Sequence, residues 1–214
     1  MKQQSNYDRL CLEWQEKIRH MDFDRLMAAV PELLPDGPLL TLCHFGRRYG
    51  IHRDSGAICA PDDGDPVTAT EKLNIYTLLG YCRPGAAQCG TWLPFRSLRG
   101  AGPFAPAFDR NILRPLAATF SGHRDAFLAA AEQLGGTPLP HGDAGALLYA
   151  FACIPMQFLF WDGDDEFPAQ ANILYDASAT DFIHVESTVT LASEGLFRLA
   201  QAACLPIRVE TFSM

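Results

Sequence analysis

The chain has 214 residues, 48% of them apolar and 20% charged, with a formal net charge of -8. That length and composition support a sizeable core and exclude disorder over the bulk of the chain. The acidic balance, with basic residues gathered only at Arg47-Arg48 and at Arg96 with Arg99, speaks against a nucleic-acid backbone as partner.

Tyr7, Leu10, Trp14, Ile18 and Met21 recur at three and four residues, which predicts one amphipathic helix. Asp22 or Asp24 can cap a second, FDRLMAAV, that stops before Pro31. ELLPDGP reads as a turn-rich linker. LLTLCHF, RYGIHRD and SGAICAPD are short runs bounded by turn residues, and predict three antiparallel strands. Thr68 and Glu71 form a capping-box pattern. It opens a helix carrying Leu73, Tyr76 and Leu79, which Arg83-Pro84-Gly85 ends.

GTWLPFRSLRGAGPFAPAF predicts an ordered loop with at most one short strand. Phe108, Ile112, Leu116 and Phe120 predict a helix, with Pro115 kinking or restarting it. Another helix is expected from Ser121 or Gly122, closed by Gly135-Gly136. AGALLYAF, IPMQFLFW and ANILYD then predict a second antiparallel set. The last helix spans roughly Glu186 to Ala203, capped by Glu186, Ser187 or Thr188.

The expected fold class is α+β, a mostly antiparallel sheet from two strand clusters, with helices at both termini and between the clusters. The expected organisation is a single domain over 1–214. N-terminal helices occupy 1–30, the first strand cluster 39–62, a helical middle 68–134, and the second strand cluster with the C-terminal helix 137–214.

The N-terminal segment shows no secretory h-region, and no uncharged apolar run is long enough to span a bilayer. A cytoplasmic protein with no membrane partner is expected. The seven cysteines are scattered without a CxxC pair, so they are expected to be reduced and mostly buried rather than metal ligands.

The densest functional signal is WDGDDEFPAQANILYDASATDFIHVE, Trp161 to Glu186. Asp162, Asp164, Asp165 and Glu166 follow a buried-strand pattern, and Asp176 lies at the end of the next. Counted as a calcium loop from Asp162, the sixth and twelfth positions hold Phe167 and Ile173, where Gly and Glu are needed. A solvated hairpin tip and a cation or ligand site both remain open. His141-Gly142-Asp143 could set an imidazole beside a carboxylate, or be only a turn. No zinc-hydrolase, nucleophile-elbow or P-loop motif occurs. Trp92, Phe95, Phe104, Phe108 and Trp161 are either packing under long loops or an apolar pocket with the acid cluster on its rim.

FGRRYGIHRDSGAI, GTWLPFRSL, LGG, HGD and above all WDGDDEFPAQANILYDASA resemble a prokaryotic family catalogued only as a domain of unknown function and common in anaerobic bacteria. The resemblance runs from about Tyr7 to Leu199. Its motifs fall on Trp92, Gly135-Gly136, Gly142-Asp143, the W-x-G-D-x-E-F-P run from Trp161 to Pro168, and Asp176 with Ser178. It implies one compact domain and no assigned activity. Some relatives carry an iron-sulfur-type cysteine segment in front of the domain; the dispersed cysteines of this chain do not reproduce it.

Two functions stand. The first is a non-enzymatic ligand- or cofactor-binding or accessory protein, with a small-molecule or protein partner. Its candidate ligand-binding residues are Trp92, Phe95, Asp143, Trp161, Asp162, Asp164, Glu166 and Asp176. The second is a metal-dependent hydrolase or lyase in which Asp162, Asp164, Glu166 and Asp176 hold a hard cation. The sequence names no cofactor.

Overall fold

The fold comes from a computed structural model that describes residues 6–30 and 32–208. Helix α1 (Asn6–Arg19) buries Cys11 and Ile18 and packs against α3 (Ala69–Tyr81). Contact with α3 selects the stripe Cys11, Trp14 and Ile18. Tyr7, predicted on that face, is exposed. Helix α2 (Phe23–Ala29) starts at Asp22, whose carboxylate accepts the amides of Asp24 and Arg25. It ends at Ala29 with Val30 as its C-cap, and so stops before Pro31 as predicted.

The expected linker at ELLPDGP is instead an edge strand, β1 (Leu34–Asp36), paired with β2 (Leu39–His44). Pro35 has no N–H to donate, which an edge tolerates. Strands β3 (Arg47–His52) and β4 (Ile58–Cys59) complete an antiparallel sheet in the order β1-β2-β3-β4. The β2–β3 turn is Phe45-Gly46, both at positive φ, +47° and +77°, the hand that suits a two-residue hairpin. Phe45 is the unusual occupant, because a bulky residue in that region is strained.

The capping box at α3 forms as predicted: Thr68 Oγ1 accepts the Glu71 amide, and Glu71 Oε2 accepts the Thr68 amide at 2.6 Å. The middle of the chain carries β5 (Trp92–Pro94), two short turns, α4 (Ala105–Phe108), α5 (Arg114–Phe120) and α6 (Arg124–Gln133). Helix α6 begins after His123, not at Ser121 or Gly122. Strands β6 (Thr137–Leu139), β7 (Ala144–Phe151), β8 (Ile154–Trp161) and β9 (Gln170–Asp176) join β5 in a second antiparallel sheet, ordered β5-β9-β8-β7-β6. β6 has no counterpart among the predicted strands; three residues with a central proline are too short to show alternation. Helices α7 (Ala179–Phe182) and α8 (Val185–Ala202) close the described chain. The cap of α8 is His184, whose Nδ1 accepts the Glu186 amide at 3.3 Å, two to four residues before the predicted ones. The class is α+β, as expected.

β8 lies between β7 and β9 and is buried along nearly its whole length. This explains why IPMQFLFW reads as an unbroken apolar run. Helix α8 packs against α3, α6 and β7. A Cβ on Gly195 would stand 2.4 Å from the Phe158 ring, so glycine lets α8 lie close to β8.

The two sheets meet at one backbone irregularity. The β7–β8 register slips between Tyr149 and Phe151, a bulge that takes Ala150 out of the ladder. Its carbonyl accepts the Phe45 amide at 3.2 Å and His44 Nδ1–H at 2.6 Å. His44 is fully buried and stacks on Phe151 at 4.5 Å. With Nδ1 donating, Nε2 is left to accept from Asn74 Nδ2 at 3.3 Å, and Asn74 Oδ1 accepts the Thr190 hydroxyl. Beside this line, Arg198 of α8 donates to Glu194, Glu71 and Tyr49, each at 2.7 Å. Tyr49 also donates to Glu71, and Arg47 reaches Glu71 at 3.1 Å. Burial by itself would raise the Glu71 carboxyl, but the Tyr49 hydroxyl, the Thr68 donors and the Arg198 charge outweigh it and hold Glu71 below its usual value.

Burial, reinforced by the nearby Arg198 charge and opposed by the Ala150 hydrogen bond, lowers the His44 pKa from 6.5 to about 3. Between those values the unfolded chain binds a proton that the folded chain refuses. His44 therefore costs nothing above pH 6.5, and stability is lost as pH falls toward 3, by about 1.4 kcal/mol per pH unit. Urea midpoints at pH 7 and pH 5 should show this. The wild type is expected to lose about 2 kcal/mol more over that interval than His44→Asn, whose amide keeps a donor toward Ala150 without titrating. Equal losses in the two proteins would refute the neutral buried imidazole.

Candidate functional site

Pro115 has no N–H and crowds the carbonyl of Asn111, so an α-helical turn cannot run through it unchanged. The helix answers by widening over Asp109–Leu113, where the Arg114 amide bonds to the Asp109 carbonyl five residues back. Such single wide turns recur at functional sites. Phe108, Ile112, Leu116 and Phe120 still point into the core, so the widening preserves the predicted apolar stripe.

The widened turn forms one wall of a hollow of about 400 Å³. Its other walls are the end of β5 with the turn after it (Pro94, Phe95, Arg96) and the start of β9 (Ala171, Asn172). Ala105 from α4 and Ala171 from β9 contribute only a methyl each to the lining, which leaves the space open. Phe95 and Phe108 stack at 4.0 Å and 6°. Each is 2% exposed, so the pair belongs to the core and supplies the apolar floor. Leu113 ends this hollow, and Arg114 begins a second, shallower one that continues past Ala117 and Ala118 to Asp164 and Phe167.

The polar atoms at the first hollow are few. Asp109 is paired with Arg114 at 2.9 Å. Asn172 Oδ1 accepts the Ile173 amide, so its Nδ2 is the free end. The Arg96 guanidinium makes no hydrogen bond or ion pair with any described residue.

Of the candidate ligand-binding residues, only Phe95 lines this hollow. Trp92 lies opposite Asp176 across the β5–β9 pair. Trp161 ends β8 opposite Gln170 and is 39% exposed. The acid cluster forms the β8–β9 connection, as predicted. The carboxylates of Asp162 and Asp164 are occupied by backbone amides. Asp162 accepts the Gly122 amide with both oxygens and the Ser121 hydroxyl with one, which ties the hairpin to the α5–α6 turn. Asp143 in turn accepts the Asp162 amide at 2.8 Å. Asp164 accepts the amides of Phe167 and Glu166, which hold its carboxyl below the usual range. Asp165 and Glu166 are exposed.

Asp176 is elsewhere. It ends β9, six residues beyond the Gln170 opposite Trp161, roughly 20 Å away at the rise of a strand. There it accepts the amides of Cys89, Gly90 and Ser178 and the Ser178 hydroxyl. Burial alone would raise its pKa, but the Ser178 and Cys89 donors hold it at about 2. The expectation that Asp162, Asp164, Glu166 and Asp176 share one cation is therefore corrected: one strand separates Asp176 from the other three. Among the described residues, no group of three or more His, Cys, Asp or Glu is placed to hold a metal ion. His141 and Asp143 are both exposed, and Asp143 is used by the Asp162 amide.

Arg96, Ala105, Asp109, Leu113, Ala171 and Asn172 were not predicted as site residues. The sequence signal nearest to them was Pro115 inside a helical stripe. The cysteines also need correction. All are free, but only Cys11 is buried, while Cys43, Cys89 and Cys204 are exposed. Cys43 alternates outward on β2 between buried Leu42 and His44; Cys89 is in a loop and Cys204 follows α8.

A match to the family described as Domain of unknown function (DUF3786) covers residues 28–197, so the chain belongs to that family. No curated protein and no solved structure matched it.

Two expectations follow from these contacts. Asp162→Ala should cost about 1–3 kcal/mol, because it strips a charged acceptor from the Gly122 amide. Glu166→Gln should stay within about 0.5 kcal/mol. Urea denaturation of both variants checks this, and equal small effects would show Asp162 to be no strut. For the thiols, a reagent in excess should label Cys43, Cys89 and Cys204 in native protein. Cys11 and Cys153 should wait for denaturant, since burial, and for Cys153 also the Glu32 carboxylate, pushes both thiols up. Peptide mapping of the labelled sites decides it; prompt native labelling of Cys153 would contradict its raised thiol.

Proposed function

We propose that this family member is a small-molecule-binding or accessory protein, and that its ligand occupies the hollow between the end of β5, the widened turn of α4–α5 and the start of β9. The observation that carries the reading is the hollow itself. Its volume of about 400 Å³ lies in the range of small-molecule sites. An apolar floor with a few polar groups at the rim is the composition such sites use. A widened helical turn at its wall adds to the case.

The acid cluster takes a structural part in this reading. Asp162 and Asp164 serve backbone amides, and a metal-dependent hydrolase would need them turned toward a shared cation. The proposed compartment is the cytoplasm. What supports it is the set of free thiols, several of them exposed, which suits a reducing environment. No helix among the described residues is long and apolar enough to cross a membrane. An occurrence in anaerobic prokaryotes belongs to the same proposal.

The test uses N-phenyl-1-naphthylamine, a neutral aromatic dye that brightens when it leaves water. Wild type should bind it saturably, and Ala105→Trp, which fills the hollow from α4, should weaken binding at least about tenfold with the circular dichroism spectrum unchanged. A loss of that size corresponds to about 1.4 kcal/mol. Absence of saturable binding, or equal binding by the filled variant, would overturn the hollow as a ligand site.

A further inference from the structure

The polar atoms left free around the hollow share one property. Arg96 is a guanidinium with no partner among the described residues. Asn172 has committed its oxygen to the Ile173 amide, leaving its NH2 group. Asp109, the acidic group in the lining, is already neutralised by Arg114 at 2.9 Å. The hollow thus offers donors and a local excess of one positive charge, in a chain whose formal net charge is -8.

We infer that the hollow selects a small organic acid: an apolar, ring-sized body carrying one carboxylate that Arg96 and Asn172 receive. The inference rests on the binding reading above and adds the ligand's charge. A guanidinium presents two parallel N–H groups that match a carboxylate, and such charge-assisted pairs are stronger than neutral hydrogen bonds. One uncompensated cation matches a monoanion. A doubly charged phosphate group would leave a charge unmatched at this rim. The body of the acid packs on Pro94 and Leu113 and fills the space that the methyl groups of Ala105 and Ala171 leave. A neutral ligand gains no such pair and a cationic one is repelled by the Arg96 charge, which gives selection by a mismatch as well as by a match. The free acid and its amide should therefore differ in affinity although they fill the same volume.

The experiment displaces bound N-phenyl-1-naphthylamine with 2-naphthoate or with 2-naphthamide, the same ring with and without the charge, at pH 7.5. In the wild type the carboxylate should displace the dye at a concentration at least about tenfold below that of the amide, the discrimination expected of one charge-assisted pair. In Arg96→Gln the ratio should fall to about one. Arg110→Gln, in the widened turn but outside the lining, removes a positive charge of the same kind and should keep the wild-type ratio. Equal displacement by the two compounds in the wild type overturns the acid while the hollow remains a binding site. A tenfold ratio that persists in Arg96→Gln, or collapses in Arg110→Gln, overturns the assignment to Arg96. A dye that does not bind the wild type at all overturns the hollow itself, and the selectivity with it.

Discussion

The carbonyl of Ala150 is the point on which the arrangement of the two sheets depends. Within a regular ladder it would be spent on a neighbouring strand. The β7–β8 register slip releases it, and it accepts two donors from the other sheet, the Phe45 amide and the His44 imidazole. A buried carbonyl without a partner costs free energy comparable to a lost hydrogen bond, so the bulge and the β2–β3 hairpin are mutually necessary. The strain of Phe45 at positive φ is offset by the same contact and by burial of its ring. His44 must stay neutral to fill its place.

Around that contact, one carboxylate unites local and tertiary demands. Glu71 completes the capping box of α3 with one oxygen and receives Tyr49, Arg47 and Arg198 with the other. The start of α3, the strand β3 and the helix α8 are therefore set by a single side chain. Buried charges of this kind are costly unless every member is satisfied, and here Arg198 also has Glu194. Such a network gives little net stability for its desolvation, but it admits few other packings of α8 against α3 and β3.

The hollow arises from a different economy of contacts. Pro115 forces a wide turn, the turn displaces the helix wall, and two alanines fail to fill what is left. Packing density in a protein interior leaves few voids larger than a water molecule. A hollow of this size, open at its rim and lined by a guanidinium that is unpaired among the described residues, is thus a feature that the surrounding core maintains. The acid cluster has the reverse character. It looks like a site in one dimension, and in three dimensions its carboxylates close a hairpin.

Periodicity and turn chemistry determined the α+β class, the two antiparallel sets, the Thr68–Glu71 cap, the β8–β9 pairing and the acid cluster at its turn. These are properties of residues close in the chain, where spacing alone states which side chains share a face. β1 and β6 escaped because three-residue edge strands with a proline have no alternation to read. The meeting of His44 with Ala150 and of Glu71 with Arg198, and the placing of Arg96 and Asn172 at one hollow, were decided only by the tertiary structure. Those pairs are separated by 76 to 127 positions, and no local preference of either residue specifies the other. The same holds for the failure of Asp176 to join Asp162: proximity in sequence placed both on one hairpin, and the extended length of β9 set them at opposite ends.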